Sequence, residues 1–252
     1  MAVKRPKSDG RCIHCRQKME KGNETADHVF PVSWYPDTTS TKVQRWTAPS
    51  CAKCNGEFGE KEKQILIRVA LCIDPMKPEA HGMVNRAYRS LGIGVTDADA
   101  DEMKIRKALK EEVFKDAQIY SGNPKDNIIP GLGPHPEVPH DQQYEIGVPA
   151  EDLINVVKKI VRGFEYWLDD GRIIEPPLEI EVFTLREEDI PPAFTALLAT
   201  TGKAELGPGV RVRRGAAGDG SGAVLYEIVI WDTMKFLCSI LPPENGDTVP
   251  AP

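Results

Sequence analysis

No stretch of this 252-residue chain holds the roughly 18–20 continuous apolar residues that span a bilayer. Residues 1–7 are basic, but no apolar run of a secretory signal follows them. Both absences point to a cytoplasmic protein with no membrane partner. A reducing compartment in turn speaks against disulfides among the six cysteines. No internal repeat recurs at a solenoid period. The glycine-rich segment 215–222 lacks the Gly-Lys-Ser/Thr ending of a phosphate loop, and reads as a hairpin loop. Residues 11–56 lack apolar periodicity and are rich in turn formers, so they need something other than a core of their own to hold them.

The charge is unevenly spread. Residues 1–70 hold 13 Lys and Arg against 8 Asp and Glu, a balance of +5, while the remainder carries −11, which together give the net −6. A basic N-terminal part suits phosphate attraction, although a solvated basic surface has the same composition. The acidic remainder is a poor general DNA-binding surface, and is open to homodimerisation or to a regulatory partner.

The periodicity organises the chain as α+β. A small N-terminal module fills residues 1–73 and ends in a helix over 57–73, whose last ten residues are apolar almost all round and therefore buried. Pro75 and Pro78 stop it. A helical segment over 74–120 packs on the module, with helices at 79–91 and 101–120. The second places Ile105, Leu109, Val113 and Ala117 at helical spacing. Residues 121–149, with six prolines and four glycines, read as a linker. Residues 150–252 form a C-terminal α+β region. Leu153, Val157, Ile160, Phe164 and Trp167 mark an amphipathic helix, and antiparallel strands are predicted at 178–185, 209–214 and 224–231.

Cys12-Ile-His-Cys15 and Cys51-Ala-Lys-Cys54 are two Cys-x-x-Cys pairs separated by 35 residues. Each spacing forms a tight knuckle, and two knuckles complete a four-sulfur tetrahedral site that suits zinc. Such a site has no open position, so the metal is structural. Redox dithiols or buried free thiols are the alternatives. His14 is expected on the knuckle surface, because four sulfurs already fill the site. Cys72 and Cys238 lie in apolar contexts and read as ordinary buried thiols.

Between the knuckles lies Ala26-Asp27-His28-Val29-Phe30-Pro31, and Asn55 follows the second knuckle directly. The set Cys12, Cys15, Asp27, His28, Cys51, Cys54 and Asn55 resembles the HNH, or ββα-metal, nuclease superfamily, in the zinc-stapled branch that includes phage endonuclease VII. The resemblance covers about residues 11–63. It implies metal-dependent hydrolysis of phosphodiester bonds in nucleic acid, DNA foremost. His28 would be the general base, with Asp27 and Asn55 holding one Mg2+ or Mn2+. A non-catalytic zinc module that binds nucleic acid or protein is the alternative. Asn55 could equally cap the helix. The chain departs from the superfamily at two places, and one further role is open between two residues. Trp46 stands near the position of its middle asparagine, Phe30 stands where a second histidine could sit, and Glu57 or Glu60 is the available extra carboxylate. Trp34, Tyr35 and Arg45, in the excursion 33–47, either contact DNA or pack on the module.

Overall fold

The computed structural model describes residues 6–115, 117–119, 132, 139–184, 190–199, 203–218 and 222–241. Most of the proline-rich stretch 121–149 lies outside the described residues. The fold is α+β, as the patterning predicts.

Strand β1 (Glu24–His28) pairs antiparallel with β2 (Thr47–Cys51), in a register that sets His28 opposite Thr47 and Asp27 opposite Ala48. Helix α1 (Ala52–Ala70) follows without a gap. It starts five residues before the predicted helix because the knuckle itself forms its first turn. Cys51 is the N-cap, its sulfur accepting the Cys54 amide, so the capping role open to Asn55 belongs to Cys51. The last turns of α1, Ile65 to Ala70, are buried as expected. Cys72, just beyond, is exposed, which corrects its reading as a buried thiol: it lies past the helix end, on the solvent side.

The predicted helix at 79–91 divides in two. A 3-10 turn, Pro78–Ala80, is followed by α2 (Met83–Ser90). Gly82 separates them at φ 85, pressed so close to Asp37 that a Cβ would overlap the carboxylate. Helix α3 (Ala100–Lys115) is shorter than predicted, and residues Gln118–Ile119 instead form β3, paired with β4 (Tyr144–Glu145). Leu109 and Val113 are buried, but Ile105 is exposed, so only part of the periodic stripe faces the core.

Helix α4 (Ala150–Leu168) buries the expected Leu153, Val157, Ile160, Phe164 and Trp167. The C-terminal sheet has the order β5-β9-β8-β7-β6 and is antiparallel throughout. Its strands are β5 (Glu179–Phe183), β6 (Lys203–Gly207), β7 (Val210–Ala216), β8 (Val224–Ile230) and β9 (Met234–Leu241), with α5 (Pro192–Ala199) before β6. The hairpin β7–β8 is the predicted one. Strand β9 escapes an alternation test because Phe236 to Ile240 are buried on both faces, as in a central strand. Cys238 lies within it, buried as expected, and burial pushes its thiol well up.

One core cluster runs from Ile13 to Ile240. Trp34 and Trp231 are both fully buried, their rings 5.7 Å apart, and Trp231 Nε1 donates to Trp34 O at 2.7 Å. The aromatics of the 33–47 excursion therefore pack on the body of the protein. Trp34 and Tyr35 are not available for base stacking, while Arg45 lies 5.2 Å over the Tyr35 ring.

Candidate metal centre and the Asp27 cluster

The first knuckle is a tight turn. Arg16 N donates to Cys12 O at 2.8 Å, and Arg16 itself takes a left-handed φ of 65. Ile13 N donates to Pro49 O at 3.0 Å and ties this turn to β2, whose end carries the second knuckle. The sulfurs of Cys12, Cys15, Cys51 and Cys54 consequently lie within 4.8 Å of one another, and Cys15 Sγ is 3.9 Å from Cys51 Sγ. A tetrahedral zinc–thiolate site needs sulfurs about 3.8 Å apart, given a metal–sulfur bond of about 2.3 Å. The four thiols can thus hold one metal ion. Burial opposes ionisation of Cys12, but the amides of Cys15, Cys51 and His14 outweigh it and draw its thiol down to about 7. Burial and the neighbouring sulfurs push Cys15 and Cys54 the other way, as expected of thiols crowded together without a cation between them.

His14 lies between two of these cysteines and points inward, contrary to its expected place on the knuckle surface. Its Nε2 is 2.9 Å from Asp27 Oδ2, and its ring packs 4.6 Å from Phe58 of α1. Asp27 is only 5% exposed, and needs partners for both oxygens. The second is Lys159 Nζ of α4, 2.7 Å from Asp27 Oδ1. Lys159 is 2% exposed and also pairs with Glu62 Oε1 of α1. A buried cluster of His14, Asp27, Lys159 and Glu62 thereby joins the knuckle, β1, α1 and α4. The extra carboxylate near Asp27 is Glu62. Glu57 and Glu60 are exposed, and Glu57 pairs with Lys53 at 3.9 Å.

Successive strand residues face opposite ways. Thr25 and Asp27 share the β1 face toward α1, where Asn55 Nδ2 donates to Thr25 Oγ1 at 3.2 Å. Asn55 therefore reaches the face that bears Asp27, one strand position away, and is not itself bonded to the Asp27 carboxylate. His28 ends β1 on the other face. It is half-buried, and among the described residues its Nδ1 has no hydrogen-bond partner. Burial lowers its pKa, with Lys159 and Arg45 adding to the effect and Asp27 opposing it, so the ring is neutral near pH 7.

Helix α4 is fastened along this hairpin. Gly163 abuts Val29, directly after His28. Trp167 Nε1 donates at 2.9 Å to the carbonyl of Thr47, the register partner of His28. Trp46 stacks on Trp167 at 5.1 Å and 11°, and its carbonyl accepts the Val29 amide at 3.0 Å. The loop leading into β2 is held by two stacked indoles. Phe30 is buried among Trp34 and Tyr35, away from a ligand's role.

No protein-family model, curated protein or solved structure matches the chain. No described helix is long and apolar enough to cross a membrane.

Proposed function

We propose that the chain is an HNH-type endonuclease that hydrolyses phosphodiester bonds in DNA. Zinc on Cys12, Cys15, Cys51 and Cys54 is structural, and Asp27 and Asn55 hold one Mg2+ or Mn2+. One observation carries the reading: the strand with Asp27 and His28 and the helix with Asn55 belong to a single ββα unit, clasped at its end by four thiols.

The chemistry follows from the residue types. A neutral His28 at the strand end is suited to take a proton from an attacking water. Asn55 uses Nδ2 on Thr25, which leaves Oδ1 as an acceptor for a hard cation. Asp27 shares that face, where a cation would have to take an oxygen now held by His14 or Lys159. A divalent ion, when bound, stabilises the charge of the leaving oxygen. Arg45 is exposed beside the Tyr35 ring, and its charge would be open to a phosphate.

Supercoiled plasmid with Mg2+ or Mn2+ tests the proposal. Nicking is expected from the protein, and a His28→Ala variant should lose it by a factor on the order of 100 or more. Nicking that survives the substitution removes His28 as base. No cleavage of any DNA or RNA form with either metal removes the enzyme reading.

A second reading has its own support. The Asp27 carboxylate is already neutralised by Lys159 in a nearly dry site. A non-catalytic zinc module that binds nucleic acid or protein accounts for that pairing without a second metal. It predicts binding that ignores substitution of His28 and Asn55 and fails when Cys12 or Cys51 is replaced.

A further inference from the structure

Residues 40–46 of the excursion lie against β6, the edge strand of the C-terminal sheet, and a cavity of about 370 Å3 is left between them. Val43, Trp46, Ala204 and Leu206 form its apolar part, all of them at least half-buried. Lys42, Gln44 and Glu205 are exposed around it. Beyond Leu206, Gly207 approaches the excursion so closely that a Cβ would stand 3.2 Å from Thr39 Cγ2. An apolar floor with a polar rim, at the small end of ligand-site volumes, fits one small molecule better than a length of chain.

The lining suits a nucleobase. Trp167 stacks on the Trp46 indole at 5.1 Å and 11°, which fixes the plane of the ring at the cavity wall. A fixed indole is a platform for a base of any sequence. Trp46 Nε1 is buried and has no hydrogen-bond partner among the described residues, a donor left unmet at a cost of about 1–3 kcal/mol. The Gln44 carboxamide offers a donor and an acceptor side by side, the pair that reads an adenine edge, and the Glu205 carboxylate accepts from base amino groups. Lys42 carries the charge for a neighbouring phosphate. The cavity also borders the end of β1. Trp46 O accepts the Val29 amide at 3.0 Å, and Thr47, the next residue, is the register partner of His28.

We propose that this cavity binds one unstacked nucleobase of the strand to be cut, so that the substrate is DNA with unpaired bases, single-stranded or mismatched, and not perfect duplex. Drawing a base out of its stack costs least where it has no partner. The proposal rests on the nuclease reading for the strand being cut, while the base site stands on the cavity alone.

The test uses the full-length, zinc-loaded protein without Mg2+ or Mn2+, with the tryptophan indole N–H signals followed by NMR. The chain has 4 tryptophans, and the signal absent from Trp46→Phe is that of Trp46. Deoxyadenosine or deoxycytidine monophosphate should shift it. A single-stranded oligonucleotide should displace the mononucleotide, and the matching duplex should not. Ala204→Phe fills the cavity from β6 and should weaken binding of mononucleotide and single strand by on the order of tenfold or more. Gln44→Ala, at an exposed position, should weaken both by about tenfold. Lys53→Gln removes an exposed charge elsewhere, on α1, and should leave binding unchanged.

No shift of the Trp46 signal with any mononucleotide overturns the proposal, and so does equal binding of single strand and duplex. A mononucleotide that no oligonucleotide displaces overturns the cut strand as the source of the base. Should Ala204→Phe fail to fold, Gln44→Ala decides: weaker binding with Lys53→Gln unchanged supports the base site, and unchanged binding in both overturns it. Base binding without cleavage by any form keeps the site and removes the nuclease. Cleavage that Gln44→Ala leaves unchanged, with no Trp46 shift, does the reverse.

Discussion

Gly163 of α4 and Val29 of the β1 end touch so closely that a Cβ on Gly163 would stand 2.7 Å from Val29 Cγ1. The contact fixes the height of α4 on the hairpin, and with it the reach of Lys159 to Asp27 one turn earlier. Gly163→Ala tests it. Alanine gains about 1 kcal/mol of helix propensity, while overpacking a rigid β-branched neighbour costs about 2–3 kcal/mol. A net loss of about 1–2 kcal/mol is expected in urea unfolding. Val29→Ala added to Gly163→Ala should recover part of it. A variant more stable than the parent would mean that α4 is free to shift.

That contact also marks where reading the sequence ends. The cysteine quartet is legible because each pair is local and its spacing is chemical. The helix α4 is legible from Leu153, Val157, Ile160 and Phe164, whose period needs no partner. What α4 packs on is not legible. Lys159 sits in a helix sequence like any solvated lysine, and only the fold brings it to Asp27 and Glu62. Four sulfurs fill the metal site and so leave His14 to the surface in a reading of the sequence, because its partner Asp27, thirteen residues away across the knuckle, cannot be seen there. Strand β9 is hidden because burial on both faces erases the alternation that marks β7 and β8. Glu57 and Glu60 were the carboxylates nearest in sequence, but α1 turns them to solvent and turns Glu62 inward.

Metal removal should act locally. The protein as isolated is expected to hold about one zinc per chain, and Cys12→Ser or Cys51→Ser should lose it. Structural zinc contributes apparent binding free energies of about 10–16 kcal/mol in small domains. Its loss should therefore release β1, β2 and the first turn of α1. The sheet β5-β9-β8-β7-β6 has its own buried face and should persist. Amide hydrogen exchange with and without a strong chelator distinguishes the two regions. Uniform protection in both states would show that the thiols hold no structural ion.

The alkaline limit of stability should depend on Tyr226. Its hydroxyl donates to Glu165 Oε1 at 2.5 Å in a fully buried site, where Arg214 Nε also donates to Oε1, at 2.7 Å. Burial, and then the Glu165 charge, push the phenol well above its ordinary value. The folded state therefore keeps a proton that the unfolded chain gives up near pH 10. Stability is full below that pH. Above it, stability falls by up to about 1.4 kcal/mol per pH unit until the folded phenol also ionises. Tyr226→Phe should lower stability at pH 8 by about 1–2 kcal/mol through the lost hydrogen bond, yet fall less steeply between pH 10 and 11. Parallel slopes for the two proteins would place the alkaline transition elsewhere.

The stacked pair Trp46 and Trp167 can be taken apart in two ways. Trp167→Phe keeps an aromatic ring against Trp46 but removes the donor to Thr47 O, a loss of about 1 kcal/mol. Because Thr47 is the register partner of His28, the end of β1 loosens with it, and plasmid nicking should fall further than stability does. Trp46→Asn introduces the residue that the resemblance to HNH nucleases leads one to expect here, at the expense of the stack on Trp167 and the edge contact with Phe164 at 5.6 Å. Large-to-small changes at packed aromatics cost about 3 kcal/mol or more. Trp46→Asn should therefore be the less stable of the two and cleave more slowly than the parent. Faster cleavage at undiminished stability would mean that the asparagine, and not the indoles, is what this loop requires.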